Sequence, residues 1–304
     1  MRRRPRSVRL AAVPLLAASL VAGMFAPEGP ADALPATNAP VVQLLRVVPT
    51  SPFAGGRRSL LDNEGSAFVR RDRSLWIVDD DGELLIEMNV RTGKVKRTFD
   101  RDELAAVHRE KRGKKHGKKA GKHRINDLEA VAYDRRKDQL FVFSGVCCSP
   151  SEKPTAFRLK RKRGKLRLDS YLPLPKGSDF TAAAWNPRKR RVYVGVGSTI
   201  WPYRYKRKGV GSPISVPGLT DITGMSFTGD GKGLLVARSP SVVSLVDWKS
   251  RTLVPGWTLD VAGAGVVDIR AVEMVRGRMW VSDGYDLRAP GDPLDHGIFV
   301  FSIS

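Results

Sequence analysis

One eight-residue pattern recurs five times in this chain. LDNEGSAF (61–68), NDLEAVAY (126–133), SDFTAAAW (178–185), TDITGMSF (220–227) and VDIRAVEM (267–274) align without gaps, each with Asp at its second position. The intervals between Asp62, Asp127, Asp179, Asp221 and Asp268 are 65, 52, 42 and 47 residues, and the longest holds a Lys/Arg/Gly-rich insertion. A second apolar stretch follows each copy at nearly constant distance: LWIV at 75, LFVF at 140, VYVG at 192, LLVA at 234 and MWVS at 279. A third strand-like segment follows each of these, and usually a fourth, rich in β-branched and aromatic residues and bounded by Gly, Pro, Asp and basic turns.

Four-stranded units repeating every 40–50 residues are the signature of a β-propeller, whose blades pack face to face around an axis. The expected fold is therefore all-β: a five-bladed β-propeller of four-stranded antiparallel blades. The fifth copy ends after its third strand at Ser304, whereas VVQLLRVVP (41–49) is a spare strand ahead of the first unit. Residues 41–49 are predicted to complete the last blade and close the ring.

The segment before the repeats has a different character. MRRRPRSVR is a basic n-region, LAAVPLLAASLVAGMFA an apolar core, and Ala31-Asp32-Ala33 a small-x-small cleavage site, which together predict a secretory signal peptide over 1–33. The alternative is a retained anchor, since the apolar run lies at the short limit for a bilayer span. The expected organisation is a leader (1–33), a linker (34–40) and one propeller (41–304) carrying a flexible basic insertion at about 101–124. A secreted or cell-surface location follows from the leader, with no transmembrane span after its removal and a monomeric state.

A formal charge of +22 concerns neighbours more than fold. In a propeller, the strand one-to-two and three-to-four turns share a face. Here almost all of them are cationic, including RKRR with Arg188, Lys189 and Arg190. Such turns either blunt edges and aid solubility or bind polyanions through salt-sensitive contacts. The insertion adds Lys114, Lys115, Lys118 and Lys119. Expected partners are an anionic cell-envelope or extracellular polymer, or a small phosphorylated ligand. No interleaved aromatic platform points to sequence-specific nucleic-acid binding.

The opposite face should gather the fourth position of each repeat, Glu64, Glu129, Thr181, Thr223 and Arg270, around a channel mouth, with Asp79, Arg238 and Asp283 nearby. The repeated Asp is expected to cap backbone amides. Glu64 and Glu129 either pair with Arg270 or hold Ca2+ through carboxylate oxygens with Asp79 or Asp283. No zinc-ligand spacing, Gly-x-Ser-x-Gly elbow or P-loop occurs. Outside the vicinity of the insertion, His296 is the one histidine. The adjacent pair Cys147-Cys148 is either a vicinal disulfide, two thiols, or paired between molecules.

Asp62-Asn63-Glu64-Gly65 and Asp127-Leu128-Glu129-Ala130, followed by LWIVDDDG and LFVFSG, resemble the exported propellers grouped as SdiA-regulated and esterase-like-phytase proteins. Thr181, Thr223 and Arg270 stand where those families carry Glu. Two functions are in view. The first is an exported binding module using its basic face, with a small ligand at the mouth. The second, implied by the resemblance, is a calcium-dependent phosphoesterase or esterase-like hydrolase, with Glu64 and Glu129 on the ion and Arg270 or Arg238 orienting an oxyanion.

Overall fold

The computed structural model describes residues 40–49, 63–80, 82–100, 127–145, 154–162, 165–175, 178–205, 209–284, 294 and 296–304. The leader, the linker up to residue 39, the basic insertion with its four lysines, and Cys147-Cys148 lie outside these residues.

The strands alternate apolar side chains on both faces. SLWIVD (74–79) is buried at every position, so a strand of this kind needs a partner layer on each side. Five antiparallel sheets supply those layers. Blade 1 contains β2 (Asn63–Val69), β3 (Ser74–Asp79), β4 (Leu84–Asn89) and β5 (Val95–Phe99). Blade 2 contains β6 (Leu128–Asp134), β7 (Gln139–Ser144), β8 (Thr155–Lys162) and β9 (Lys165–Pro173). In blade 3, β10 (Ala182–Asn186), β11 (Arg191–Val196) and β12 (Thr199–Arg204) are followed by two short outer segments, β13 (Gly209–Val210) and β14 (Ile214–Ser215), both paired with β12. Blade 4 runs β15 (Ile222–Phe227), β16 (Gly233–Arg238), β17 (Val242–Asp247) and β18 (Thr252–Asp260).

Blade 5 has β19 (Ile269–Val275), β20 (Arg278–Asp283) and β21 (Ile298–Ile303), and β1 (Val42–Val48) supplies its fourth strand. The pairing runs from Val42 opposite Ile303 to Val48 opposite Ile298, as the missing element of the last repeat demands. The inner strands β2, β6, β10, β15 and β19 each touch the next, and β19 touches β2, so the ring closes.

Five buried apolar clusters hold the ring, each spanning one blade interface. Trp76 and Val78 face Val142 and Phe157 of blade 2, whereas their sequence neighbours Leu75 and Ile77 face Trp280 and Val300 of blade 5. The period-2 alternation of a strand thus distributes adjacent residues to two different interfaces.

Near the axis the inner strands meet through small residues. The fifth repeat position is Gly65, Ala130, Ala182, Gly224 or Ala271, and the space left among the five strands is only about 10 Å³, near the size of one water. A Cβ on Gly224 would lie 2.7 Å from the Ala271 Cα and 2.8 Å from the Arg270 carbonyl oxygen. Backbone cannot yield there as a flexible side chain would. Gly224→Ala is therefore expected to destabilise the protein by roughly 1–3 kcal/mol, whereas Gly263→Ala, where a Cβ meets nothing within 4 Å, should leave the melting temperature unchanged. Calorimetry of the two variants checks this.

Candidate functional site

The fourth repeat position is turned out of the ladder. In blades 1, 2, 4 and 5 the register slips between the third and fifth positions, at Asn63/Gly65, Leu128/Ala130, Ile222/Gly224 and Ile269/Ala271. A β-bulge leaves one residue unpaired and re-aims its side chain; here those residues are Glu64, Glu129, Thr223 and Arg270. In blade 3, Thr181 precedes β10, and its hydroxyl donates to the Ile222 carbonyl at 2.7 Å, bridging to blade 4.

The residues at this end are chemically unequal. Arg270 Nη1 lies 2.8 Å from Glu64 Oε1, and its Nη2 is 2.9 Å from Asp268 Oδ2. The ion pair between Glu64 and Arg270 therefore forms. Glu129 lies in a carboxylate group of its own, where ligand oxygens of Asp80, Asp127 and Glu129 all fall within 4.8 Å of one another. Asp179 joins from blade 3: a Cβ on Gly145 would sit 2.5 Å from Asp127 Oδ2, 2.5 Å from Asp179 Oδ1 and 2.8 Å from Glu129 Oε1. Only a residue without a side chain leaves space for three carboxylates at that point.

Burial pushes the Glu129 carboxyl up to about 9, with the charges of Glu64, Asp179, Asp127 and Asp80 adding to it. Asp179 is also raised by burial. On β19, Glu273 accepts a hydrogen bond from Ser226 Oγ of β15 at 2.9 Å, and desolvation raises it to about 8.

The acids near the mouth have different local duties. Asp79 and Asp283, candidates for ligands, are buried and act as caps: Asp79 Oδ1 accepts the Gly82 N–H at 2.8 Å, and Asp283 Oδ1 accepts the Asp268 N–H at 2.8 Å. The repeated Asp, expected to cap, also closes a rung through its carbonyl, accepting from Gly145, Ser239 and Gly284 in three blades. The carboxylates of Asp127 and Asp179 meet beside that of Glu129 at Gly145. Arg238 is a brace, donating from Nη2 to Ser244 Oγ at 2.8 Å and from Nη1 to the Gly218 carbonyl at 3.3 Å. Thr223 Oγ1 is buried and meets no hydrogen-bond partner among the described residues. His296 is buried, and its carbonyl accepts from Asn63 Nδ2 at 3.1 Å, a structural role. The repeated aspartates and the DDDGE loop are expected on this face, but as caps and loop residues; the carboxylates that meet Glu129 are those of Asp80, Asp127 and Asp179. The Asp79–Asp81 run and the glycine directly after LFVFS were the available signals.

At the opposite rim the basic turns divide into two groups. In blades 1 and 2, many cations are neutralised internally. Arg97 pairs with Glu87 at 2.7 Å, Lys160 with Asp169 at 2.6 Å, and Arg161 with Asp138 at 2.9 Å as well as with Asp72. Among the described residues of the blade 3 and 4 turns, the ion pair is Lys232 with Asp230 at 3.7 Å.

No family model and no curated protein matches the chain. Among solved structures, it superposes on glutaminyl cyclase of Myxococcus xanthus with a TM-score of 0.58 at 10% identity, covering 87% of this chain and 97% of the other. Hydrazine synthase of Kuenenia stuttgartiensis gives a TM-score of 0.44 at 14% identity, covering 75% of this chain and 58% of the other. At such identities the first likeness shows a shared fold and nothing about activity.

Proposed function

We propose that this propeller is a binding module whose mouth takes a divalent cation, with a small anionic ligand held over it. The observation that carries the reading is the convergence of Asp80, Asp127 and Glu129 oxygens within 4.8 Å, with Asp179 beside them. Calcium accepts six to eight oxygens at 2.3–2.6 Å, so donors on opposite sides of one ion stand about 5 Å apart, which matches this spread. Hard carboxylate donors without thiolate or imidazole favour calcium or a similar ion over zinc. Glu64, half of the expected metal pair, is engaged with Arg270, so the donor set moves to Asp80, Asp127, Glu129 and Asp179.

Calcium is expected to raise the melting temperature of the EDTA-treated protein by several degrees, following the mass-action stabilisation of about 2.7 kcal/mol at a hundredfold excess over Kd. Glu129→Gln should remove that increment. A wild-type melting temperature indifferent to calcium, magnesium and manganese would sink the reading. The phosphoesterase resemblance adds a second readout on the same sample: turnover of a phosphoester panel that depends on calcium and on Glu129 would convert the binding site into a hydrolytic one.

A second reading concerns the other rim. The uneven neutralisation of its cations supports attachment of an exported chain, freed of its 1–33 leader, to an anionic envelope or matrix polymer. Binding to such a polymer, reversed by salt, is the expected result. Retention that ignores salt would remove it.

A further inference from the structure

Between blades 3 and 4, on the basic rim, lies a groove of about 620 Å³ lined by Arg188, Lys189, Arg191, Lys232, Lys249 and Arg251. Its floor is apolar, made by Ile214, Tyr193 and Trp248. Tyr193 and Trp248 are buried edge to face, 4.9 Å between centroids, within the cluster that joins the two blades. Among the described residues, no acidic side chain lines the groove. Acids beside these turns are engaged locally: Asp230 pairs with Lys232, and Asp247 Oδ1 accepts the Lys249 and Ser250 N–H groups at 2.7 and 3.0 Å.

The cations are held on a rigid frame. Asn186, fully buried, donates from Nδ2 to the Gly231 carbonyl at 3.2 Å and accepts the Lys189 N–H at 2.8 Å, tying the blade 3 turn to the blade 4 turn. Gly231 adopts φ +68°, and a Cβ there would meet Asn186 Oδ1 at 2.7 Å. The backbone positions are therefore set before any ligand arrives, which lowers the ordering cost of binding. Like charges brought together on three turns repel unless an anion joins them. A low-dielectric floor strengthens attraction to that anion, and guanidinium forks match phosphate oxygens.

We propose that this groove binds an oligophosphate, a run of two or more linked phosphate groups. A single phosphate is too small to reach cations spread over three turns around 620 Å³. The buried Tyr193 and Trp248 present no open ring for a base to stack on, so the recognised chemistry is the charge array. The inference deepens the reading of the basic rim and rests on it, while remaining independent of the cation site at the mouth.

Titration calorimetry with inorganic tripolyphosphate tests it. Wild type is expected to bind, to bind inorganic phosphate at least tenfold more weakly, and to lose affinity steeply with added NaCl. The triple variant Arg191→Gln/Lys249→Gln/Arg251→Gln should weaken tripolyphosphate at least tenfold. Arg135→Gln/Arg136→Gln, on the blade 2 turn, should change it less than twofold. Lys249→Glu, one exposed side chain on a capped turn, serves if the triple variant folds poorly, and should also weaken binding tenfold. Tighter binding of long-chain polyphosphate assigns a polymer as source, and tighter binding of tripolyphosphate assigns a free oligophosphate; both support the site. Equal losses in the groove and blade 2 variants would overturn the groove while leaving the diffuse face intact. Absence of any binding to tripolyphosphate or to long-chain polyphosphate would overturn both.

Discussion

A variant that starts at residue 50 is expected to lose the single cooperative unfolding transition of the propeller. Strand β1 closes the last blade against β21 and is bracketed by the Val41–Ser304 backbone pair, at 3.0 and 3.1 Å. It also locks blade 5 to blade 1. Val48 packs with Leu75, Ile77 and Trp280, and Arg46 donates to the Val90 carbonyl at 2.7 Å while lying over the Trp280 ring. Removing β1 bares the edge of β21 and the apolar row it covers, an arrangement that invites pairing between molecules. Near-UV circular dichroism should flatten and size-exclusion chromatography should show aggregates. A milder change, Val48→Asp, puts a charge into the blade 5 to blade 1 cluster and should cost roughly 3 kcal/mol or more, lowering the melting temperature by about 10 °C. A chain lacking 1–49 that melts cooperatively within a few degrees of the full protein would contradict this account of closure.

Arg270→Ala carries the second large effect, expected at roughly 2–4 kcal/mol, because a nearly buried carboxylate loses a charge partner whose own side chain is partly exposed. Glu64, its side chain 7% exposed, loses its 2.8 Å partner while staying close enough to Glu129 to raise its carboxyl. The pH dependence has a definite sign. Glu129 titrates near 4.5 when unfolded and near 9 when folded, so between those values the folded state holds a proton that the unfolded chain has released. Stability of the cation-free protein must therefore fall as pH rises through that window, and Glu273, raised to about 8 by burial, acts in the same direction. Removing Arg270 takes away the cation that offsets Glu64, so the deficit of the variant should be larger at pH 8 than at pH 5. Glu64→Gln in the Arg270→Ala background should recover much of the loss, because it removes the charge that Arg270 offset. Thermal melts of the three proteins at both pH values decide it. An Arg270→Ala protein within 1 kcal/mol of wild type at pH 8 would show the pair to be dispensable.

Different readings of the same positions show how far local sequence reaches. Asp79 and Asp127 both stand beside a strand end in an acidic context, and from sequence Asp79 is a candidate ligand and Asp127 a member of a capping pattern. The carboxylate of Asp79 folds back onto the Gly82 N–H, whereas that of Asp127 lies beside those of Glu129 and Asp179 at Gly145. Which of two acids turns inward depends on the path of one loop, and residue type alone does not encode that path. The basic turns behave similarly. Arg161 and Arg191 look alike in sequence, but Arg161 meets Asp72 across the interface of blades 1 and 2 and Asp138 within its own blade, and Arg191 lines a groove with five other cations.

The repeat by itself determined the blade number, the antiparallel four-stranded unit and the role of residues 41–49. Each of these follows from local properties: turn residues, strands apolar on both faces, and one element missing at one end while spare at the other. Tertiary structure alone decided the composition of the two rims. Four bulges aim the fourth-position side chains, and ring closure carries Arg270 to Glu64. Asp179 of blade 3 meets Asp127 of blade 2 because small residues let the inner strands approach. Periodicity along the chain sets what each blade is, and the order of blades around the axis sets which charges must share a dielectric.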